Sequence, residues 1–439
     1  VRTILFLILA VTLASCGGAT ASQPDAAPPA PTAPPTPDAP ATVLHANLPR
    51  SAPSVAPHQT DALVRGNNNF AADLYRSAVG DTDDNLCFSP YSVSLAFSML
   101  YAGARGNTAT ELEQTLRFLP QEAHHQAFNA LDQRLTQRAV TPQPTEETGA
   151  AFELTVANAV WGQQGFSVQP DYLTTLAAQY GAGLRTVDFV GQPQQATDTI
   201  NDWVAEQTRE RITDLLPPDA ISPQTRLVLT NAVYFNASWA TPFSAADTVA
   251  GTFMLRDQTT VEVPLMRRNP LRVPYTETEA YQAVRLPYVE QTVDMLVLLP
   301  REGQFETVEQ QLNAGFVQQA QRGMEEYDVN LTLPRFAVET DMDLKALLQG
   351  MGLKQPFNAM ADFSGITEGG GLYVSDALHR STITVDEQGA EASAATAAAM
   401  AESALEQVKM TVTRPFIFAI TDRETGAILF LGRVMNPAE

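Results

Sequence analysis

Apolar residues recur at helical spacing through the first part of the chain's body and give way to strand-like runs from Phe152 onward. Asn67 to Val79 sets Phe70, Leu74 and Ala78 on one helical face. Ser92 to Tyr101 carries Leu95, Phe97, Met99 and Leu100 around much of its circumference, which predicts a buried helix. Ser89-Pro90 ahead of it suits a helix start. Thr108 to Leu116 and Glu122 to Gln137 read as amphipathic helices. His124 and His125 are adjacent, so they point to different parts of the helix, make no two-ligand face, and read as surface residues.

Strand patterns follow. Phe152 to Trp161 alternates, and Arg226 to Phe235 is a β-rich run fit for a central strand. Further runs are Thr252 to Leu255, Val261 to Met266, Tyr281 to Leu286, Asp294 to Leu299, Asp328 to Phe336 and Ser381 to Val385. Phe416 to Thr421 and Ala427 to Gly432 flank Asp422 to Gly426 as a hairpin. Helices first and strands later, without βαβ alternation, predict an α+β fold. No second linker interrupts the body, so 61–439 reads as one domain.

Composition narrows the function. Of 439 residues, 44% are hydrophobic and 17% charged, which predicts a mostly globular chain. The formal net charge of -22 repels phosphate backbones and disfavours nucleic acid as a partner. It also disfavours electrostatic docking on anionic lipid. HExxH, paired CxxC, GxxxxGK[ST] and GxSxG are all absent, so no metal, cofactor or hydrolase elbow is signalled.

The N-terminus reads as an address. Arg2 precedes an apolar run, Ile4 to Leu13, of signal-peptide length. It ends Leu13-Ala14-Ser15-Cys16-Gly17, which resembles the bacterial lipobox. That implies a signal peptide over 1–15, cleavage before Cys16, and lipidation of its sulfur. The alternative is an ordinary cleavable signal with an incidental cysteine. An acyl anchor would hold an exported, extracytoplasmic domain at the bacterial membrane or cell surface. Residues 16–60 hold eleven of the chain's 30 prolines without apolar periodicity, and read as a stiff disordered linker. His45 and His58 read as solvated bystanders in it. Cys87 lies in an apolar segment, and no disulfide is expected.

Residues 387–407, EQGAEASAATAAAMAESALEQ, resist a simple reading. Alanine favours a helix, but only Met400 and Leu405 are large and apolar, and they make no stripe. The alternative is a segment able to enter a sheet as a new strand. It lies between two strand patterns, Ser381 to Val385 and Val408 to Val412, and holds no proline. Its small side chains would fit among packed neighbours, and Gly389 frees the backbone near its start. Composition alone favours the helix.

The surroundings resemble the serpin family and reverse that preference. Asp386-Glu387-Gln388-Gly389-Ala390-Glu391-Ala392-Ser393-Ala394-Ala395-Thr396 is similar to the hinge of inhibitory serpins. Asn85-Leu86-Cys87-Phe88-Ser89-Pro90-Tyr91-Ser92 resembles the first shutter segment. Thr230 to Trp239 with Pro242-Phe243, His379, Arg414-Pro415-Phe416, and Gly432-Arg433-Val434 with Asn436-Pro437 resemble further signatures, in order, over 65–439. Ala390 departs from the family's usual Thr or Ser, and Cys87 from its aromatic or aliphatic residue.

The resemblance implies a serpin fold: helices around a large main β-sheet, further sheets, and an exposed reactive-centre loop over about 387–407. It implies a monomeric serine protease inhibitor, not an enzyme, that needs no cofactor. Its partner would be a serine protease held in a covalent acyl complex, with the membrane met only through the lipid anchor. The hinge would comprise Glu387, Gly389, Ala390, Ala392 and Ala394. The shutter would comprise Ser89, Ser92, Asn231 and His379; read without the resemblance, these are a capping serine and ordinary core polar residues. Counting from the hinge acid puts the reactive bond at Ser403–Ala404, and counting back from Pro415-Phe416 puts it at Ala404–Leu405. Both follow small side chains, which implies an elastase-like or subtilisin-like target. Trp203, in a helix-like stretch from Thr199 to Thr208, is expected near the start of insertion or simply in the core. The alternative function is a non-inhibitory serpin-fold binding or structural protein at the cell surface.

Overall fold

A computed structural model describes residues 41–80, 82–139, 152–389 and 405–439. Its strands, in chain order, are β1 (Thr42–Leu44), β2 (Leu86–Phe88), β3 (Phe152–Gln163), β4 (Leu184–Val187), β5 (Leu227–Ala237), β6 (Val249–Met254), β7 (Thr260–Glu277), β8 (Tyr281–Pro287), β9 (Val293–Pro300), β10 (Glu325–Pro334), β11 (Phe336–Asp343), β12 (Val374–Val385), β13 (Gln407–Thr411), β14 (Phe416–Asp422) and β15 (Ile428–Val434). The helices used below are α1 (Pro57–Val79), α2 (Pro90–Gly103), α3 (Gly106–Thr115), α4 (Gln121–Ala139), α5 (Pro170–Thr175) and α6 (Pro193–Gln207). A π-helical turn, Leu176–Tyr180, continues α5.

The strands form two sheets. One has six strands in the order β1-β4-β3-β5-β12-β11; the other has nine, eight along a path from β13 to β2 and β6 paired with β7 off it. In the six-stranded sheet β5 and β12 run parallel, as do β3 and β4. β3 on β5 and β11 on β12 are antiparallel.

The core follows from the sequence pattern. The Ser89 hydroxyl caps α2 by accepting the Ser92 N–H, and Pro90 sits where no donor is needed. The helix is buried around nearly its whole girth because sheet strands and other helices cover it. β5 is buried along most of its length, as an apolar run flanked by strands on both sides should be.

Four expectations need correction. The linker does not run to residue 60: Thr42–Leu44 pair antiparallel with β4, and α1 begins at Pro57. A three-residue strand is too short to announce itself by periodicity. The helix read from Asn67 therefore starts a full ten residues earlier. The run from Asp328 to Phe336 is two strands in different sheets, broken at Arg335. His124 and His125 are not surface residues. α4 is covered on two sides, so His124 lies among Tyr101, Phe118 and Phe128, and His125 lies on Tyr180. Burial pushes the His125 imidazole down to about 4, with Arg105 adding to the effect. His124 is driven well below its ordinary value by burial first and by His125 second.

Candidate functional site

β12 rises beside β5 and ends at Val385. The chain then turns back within four residues. Asp386 and Gly389 exchange backbone hydrogen bonds, and the Asp386 carboxylate accepts the N–H groups of Gln388 and Gly389. Gly389 forms an antiparallel bridge with Ser238, which directly follows β5. Its φ is +129°, and a Cβ there would lie 2.2 Å from the Ala237 carbonyl oxygen, so glycine is required. The returning chain thus lies antiparallel to β5 at the top of the β5–β12 seam.

This turn is clamped from β5's end. The Trp239 N–H donates to the Gln388 carbonyl at 2.8 Å, its indole N–H to the Asp386 carbonyl at 3.0 Å, and the Phe243 N–H to the Glu387 carbonyl at 2.8 Å. Trp239 itself stacks on Tyr288, with centroids 4.5 Å apart. The Glu387 side chain is 5% exposed and accepts from Arg335 Nε at 2.7 Å and from the Thr248 hydroxyl. Burial opposes its ionisation, but the bonds from Arg335 and Thr248 outweigh that, so the carboxyl lies below its ordinary value.

A second cluster spans the same seam lower down. His379 on β12 faces Asn231 on β5, which faces Asn158 on β3. The Ser89 backbone N–H donates to His379 Nε2 at 3.2 Å, which puts the imidazole proton on Nδ1, donating to Asn231 Oδ1. Asn231 Nδ2 donates to Ser92 Oγ at 2.9 Å and to Asn158 Oδ1 at 2.7 Å, and Asn158 Nδ2 donates to the Ser92 carbonyl at 2.9 Å. Ser89, Ser92, Asn231 and His379 are all buried. Burial drives the His379 imidazole down to about 3. The structure therefore joins the four residues named from sequence.

Asn158, Arg335 and Thr248 were missed. An asparagine inside the apolar run of β3 was the available signal for the first. Nothing local marks the other two, whose partner is more than fifty residues away in each case. Trp203 does not lie near the hinge. It packs on Trp161, with centroids 5.4 Å apart, and Trp161 pairs with Val228, ten residues below Ser238 and roughly 30 Å down the sheet. Ala390, Ala392, Ala394, Ser403, Ala404 and Cys16 lie outside the described residues; Leu405 is the first described residue after the loop.

Residues 65–437 match the family model described as Serpin (serine protease inhibitor). The chain belongs to the serpin family. A serpin-like protein of Thermococcus kodakarensis is 41% identical over 387 residues, 87% of each chain. The leukocyte elastase inhibitor of Homo sapiens is 32% identical over 389 residues, 86% of this serpin and 100% of the inhibitor. A crystal structure of thyroxine-binding globulin with thyroxine has a TM-score of 0.74 at 31% identity, covering 86% of this serpin and all of that chain. The α+β serpin fold is thus established. The family is one of protease inhibitors and not of catalytic enzymes, and it includes members without inhibitory activity.

Proposed function

We propose that this serpin traps a serine protease by offering it residues 387–407 as bait and then taking the cut loop into the six-stranded sheet. One observation carries the reading: β5 and β12 are parallel neighbours, and the chain leaving β12 has already turned antiparallel to β5 at Gly389. A strand continuing from that turn between them would be antiparallel to both. One parallel ladder would be replaced by two antiparallel ones, each new hydrogen bond contributing about 1 kcal/mol net. The loop's alanines, serines and threonine suit such a slot, and it holds no proline.

The protease serine attacks the carbonyl carbon of the residue before the cut bond. The Ser403–Ala404 peptide bond breaks, the new amine leaves on Ala404, and an ester joins Ser403 to the enzyme. Ala404–Leu405 is the next position. Insertion starting at Gly389 and running through Ala390, Ala392 and Ala394 then drags the enzyme along and distorts it before water hydrolyses the ester. Stored instability of the uncut fold drives the change, so each molecule acts once. Small residues at both bonds, and no Arg or Lys from Glu387 to Gln407, support an elastase-like or subtilisin-like target. The leader and Cys16 support export and lipid anchoring, which the mass of the mature N-terminal peptide tests.

The test is incubation with elastase, subtilisin and trypsin. A complex surviving denaturing electrophoresis with one of the first two, plus a released peptide beginning at Ala404, is expected. Cleavage of the loop without any such complex overturns the reading.

A further inference from the structure

Sheet expansion, as proposed above, requires the β5-β3-β4-β1 half to separate from the β12-β11 half by one strand spacing, about 4.8 Å. The second half is pinned to β2: the Ser381 hydroxyl donates to the Cys87 carbonyl at 2.7 Å, and the Cys87 N–H to Thr340 Oγ1 at 3.0 Å. The first half is tied to α2 through the bonds of Asn231 and Asn158 to Ser92, and its far side, at β4, is where a movement would meet the helix layer. Its strand β4, paired between β3 and the edge strand β1, joins the helix layer through Gly181-Ala182-Gly183, which follows the π-helical turn. Gly181 has a φ of +62°. These two glycines make this link the candidate hinge between the sheet and the helices.

Residues 42–51 lie straight across that hinge. On the sheet side, Thr42, Val43 and Leu44 pair with Thr186, Arg185 and Leu184. On the helix side, Arg50 pairs with Asp132 at 2.6 Å and donates to Asn129 Oδ1 at 2.8 Å and to the Gln179 carbonyl at 3.1 Å. Both backbone groups of Ser51 are used. Its N–H donates to the Ala178 carbonyl, and its carbonyl accepts from Asn129 and Gln133. Asp132 is held in turn by the Tyr91 hydroxyl of α2. A Cβ on Gly183 would lie 2.6 Å from the Leu44 carbonyl oxygen, and one on Gly181 3.4 Å from Arg50, so the segment rests directly on the hinge glycines.

Packing joins the layers at the buried Leu184, Leu176 and Tyr180, but not throughout. A cavity of about 630 Å³ opens beneath the segment, lined among others by Leu95, Asp132, Val156, Asn158 and Arg185. Side chains across such a space forgo most of their mutual dispersion contact. Across it, the bonds of residues 42–51 add a polar tie between β4 and α4.

We propose that residues 42–51 are a splint that holds the six-stranded sheet closed. The proposal rests on the insertion reading. Its bonds are intact in the uncut state and must break or stretch as β4 moves, so they raise the barrier to taking in a strand without cleavage. A molecule whose splint is released drifts into an inserted, inactive form.

Two full-length variants test this. Arg50→Gln removes the ion pair, and Leu44→Pro weakens β1. Each is held a few degrees below its own unfolding midpoint, and the uncut protein is assayed over time for loss of protease trapping together with a raised midpoint. Conversion about tenfold faster than in the wild type is expected for each. Asn129→Ala, which removes one bond to Arg50 and one to Ser51, gives a milder increase and serves if either variant fails to fold. Wild-type conversion rates in folded variants overturn the splint. If wild-type protein nicked in the loop gains stability at the same time, the insertion reading stands without it. If nicked wild-type protein gains none, both fall.

Discussion

His379 and Asn231 face each other across the β5–β12 seam, and the His379 Nδ1–H donates to Asn231 Oδ1. The bond crosses the one pair of strands between which a new strand would lie. It belongs to a network whose other members, Ser89, Ser92 and Asn158, come from α2's start and from β3. Opening the seam means breaking this contact between two buried groups.

Asn231→Ala should weaken the closed sheet. It leaves the His379 Nδ1–H without its acceptor and removes a bond each from Ser92 and Asn158. The cost is about 1–3 kcal/mol. Urea denaturation of the uncut protein checks it, and conversion to an inserted form should also speed up.

The protein should lose stability as pH falls below 6.5. His125 and His379 are held neutral by burial, at about 4 and about 3, and His124 is depressed in the same direction. Below about 6.5 the unfolded chain binds protons that these folded sites refuse, so stability is full above that pH and falls beneath it. At pH 5 His125 and His379 each cost about 2 kcal/mol, and His124 adds to the loss in the same direction. Denaturation at pH 7.5 and 5 measures the loss, and His125→Phe should reduce it by about one site's share. Carboxylates contribute little in that window.

Arg335 and Glu387 form an asymmetric pair, 45% and 5% exposed. Arg335→Ala strands a buried carboxylate with Thr248 alone, whereas Glu387→Gln leaves Arg335 free to turn into water. Arg335→Ala should therefore cost more, about 1–3 kcal/mol. Chemical denaturation of both variants gives the order, and an equal cost contradicts the reading of Glu387 as buried and charged.

Under the insertion account, Ala394→Pro should leave a loop that is cut without trapping the protease. Proline removes a ladder hydrogen bond in the strand expected to insert. Loop cleavage should proceed at about the wild-type rate while the yield of gel-stable complex falls sharply. Unchanged complex yield would mean that Ala394 does not enter the sheet.

The chain made some of this legible and hid the rest for physical reasons. α2 and β5 were readable because apolar residues surround the one and fill the other. β7 is legible only over Val261 to Met266, because Arg267, Arg268 and Pro270 interrupt the apolar pattern of a strand that runs to Glu277. β1 was hidden among prolines, and its pairing depends on an edge supplied by β4. Local pattern assigned His124 and His125 to the surface because it carries no record of what packs over α4. The four polar residues of the seam could be listed from the family signatures, but Asn158 and Arg335 appear only when distant strands are brought together.

The most direct measurement is the thermal unfolding midpoint before and after a single cut in the loop. Elastase or subtilisin makes the cut, and mass spectrometry confirms one break between 387 and 407 with both fragments retained. The insertion account predicts a midpoint far above that of the uncut protein, because the freed arm completes the six-stranded sheet. An unchanged or lowered midpoint in the cleanly nicked protein contradicts it.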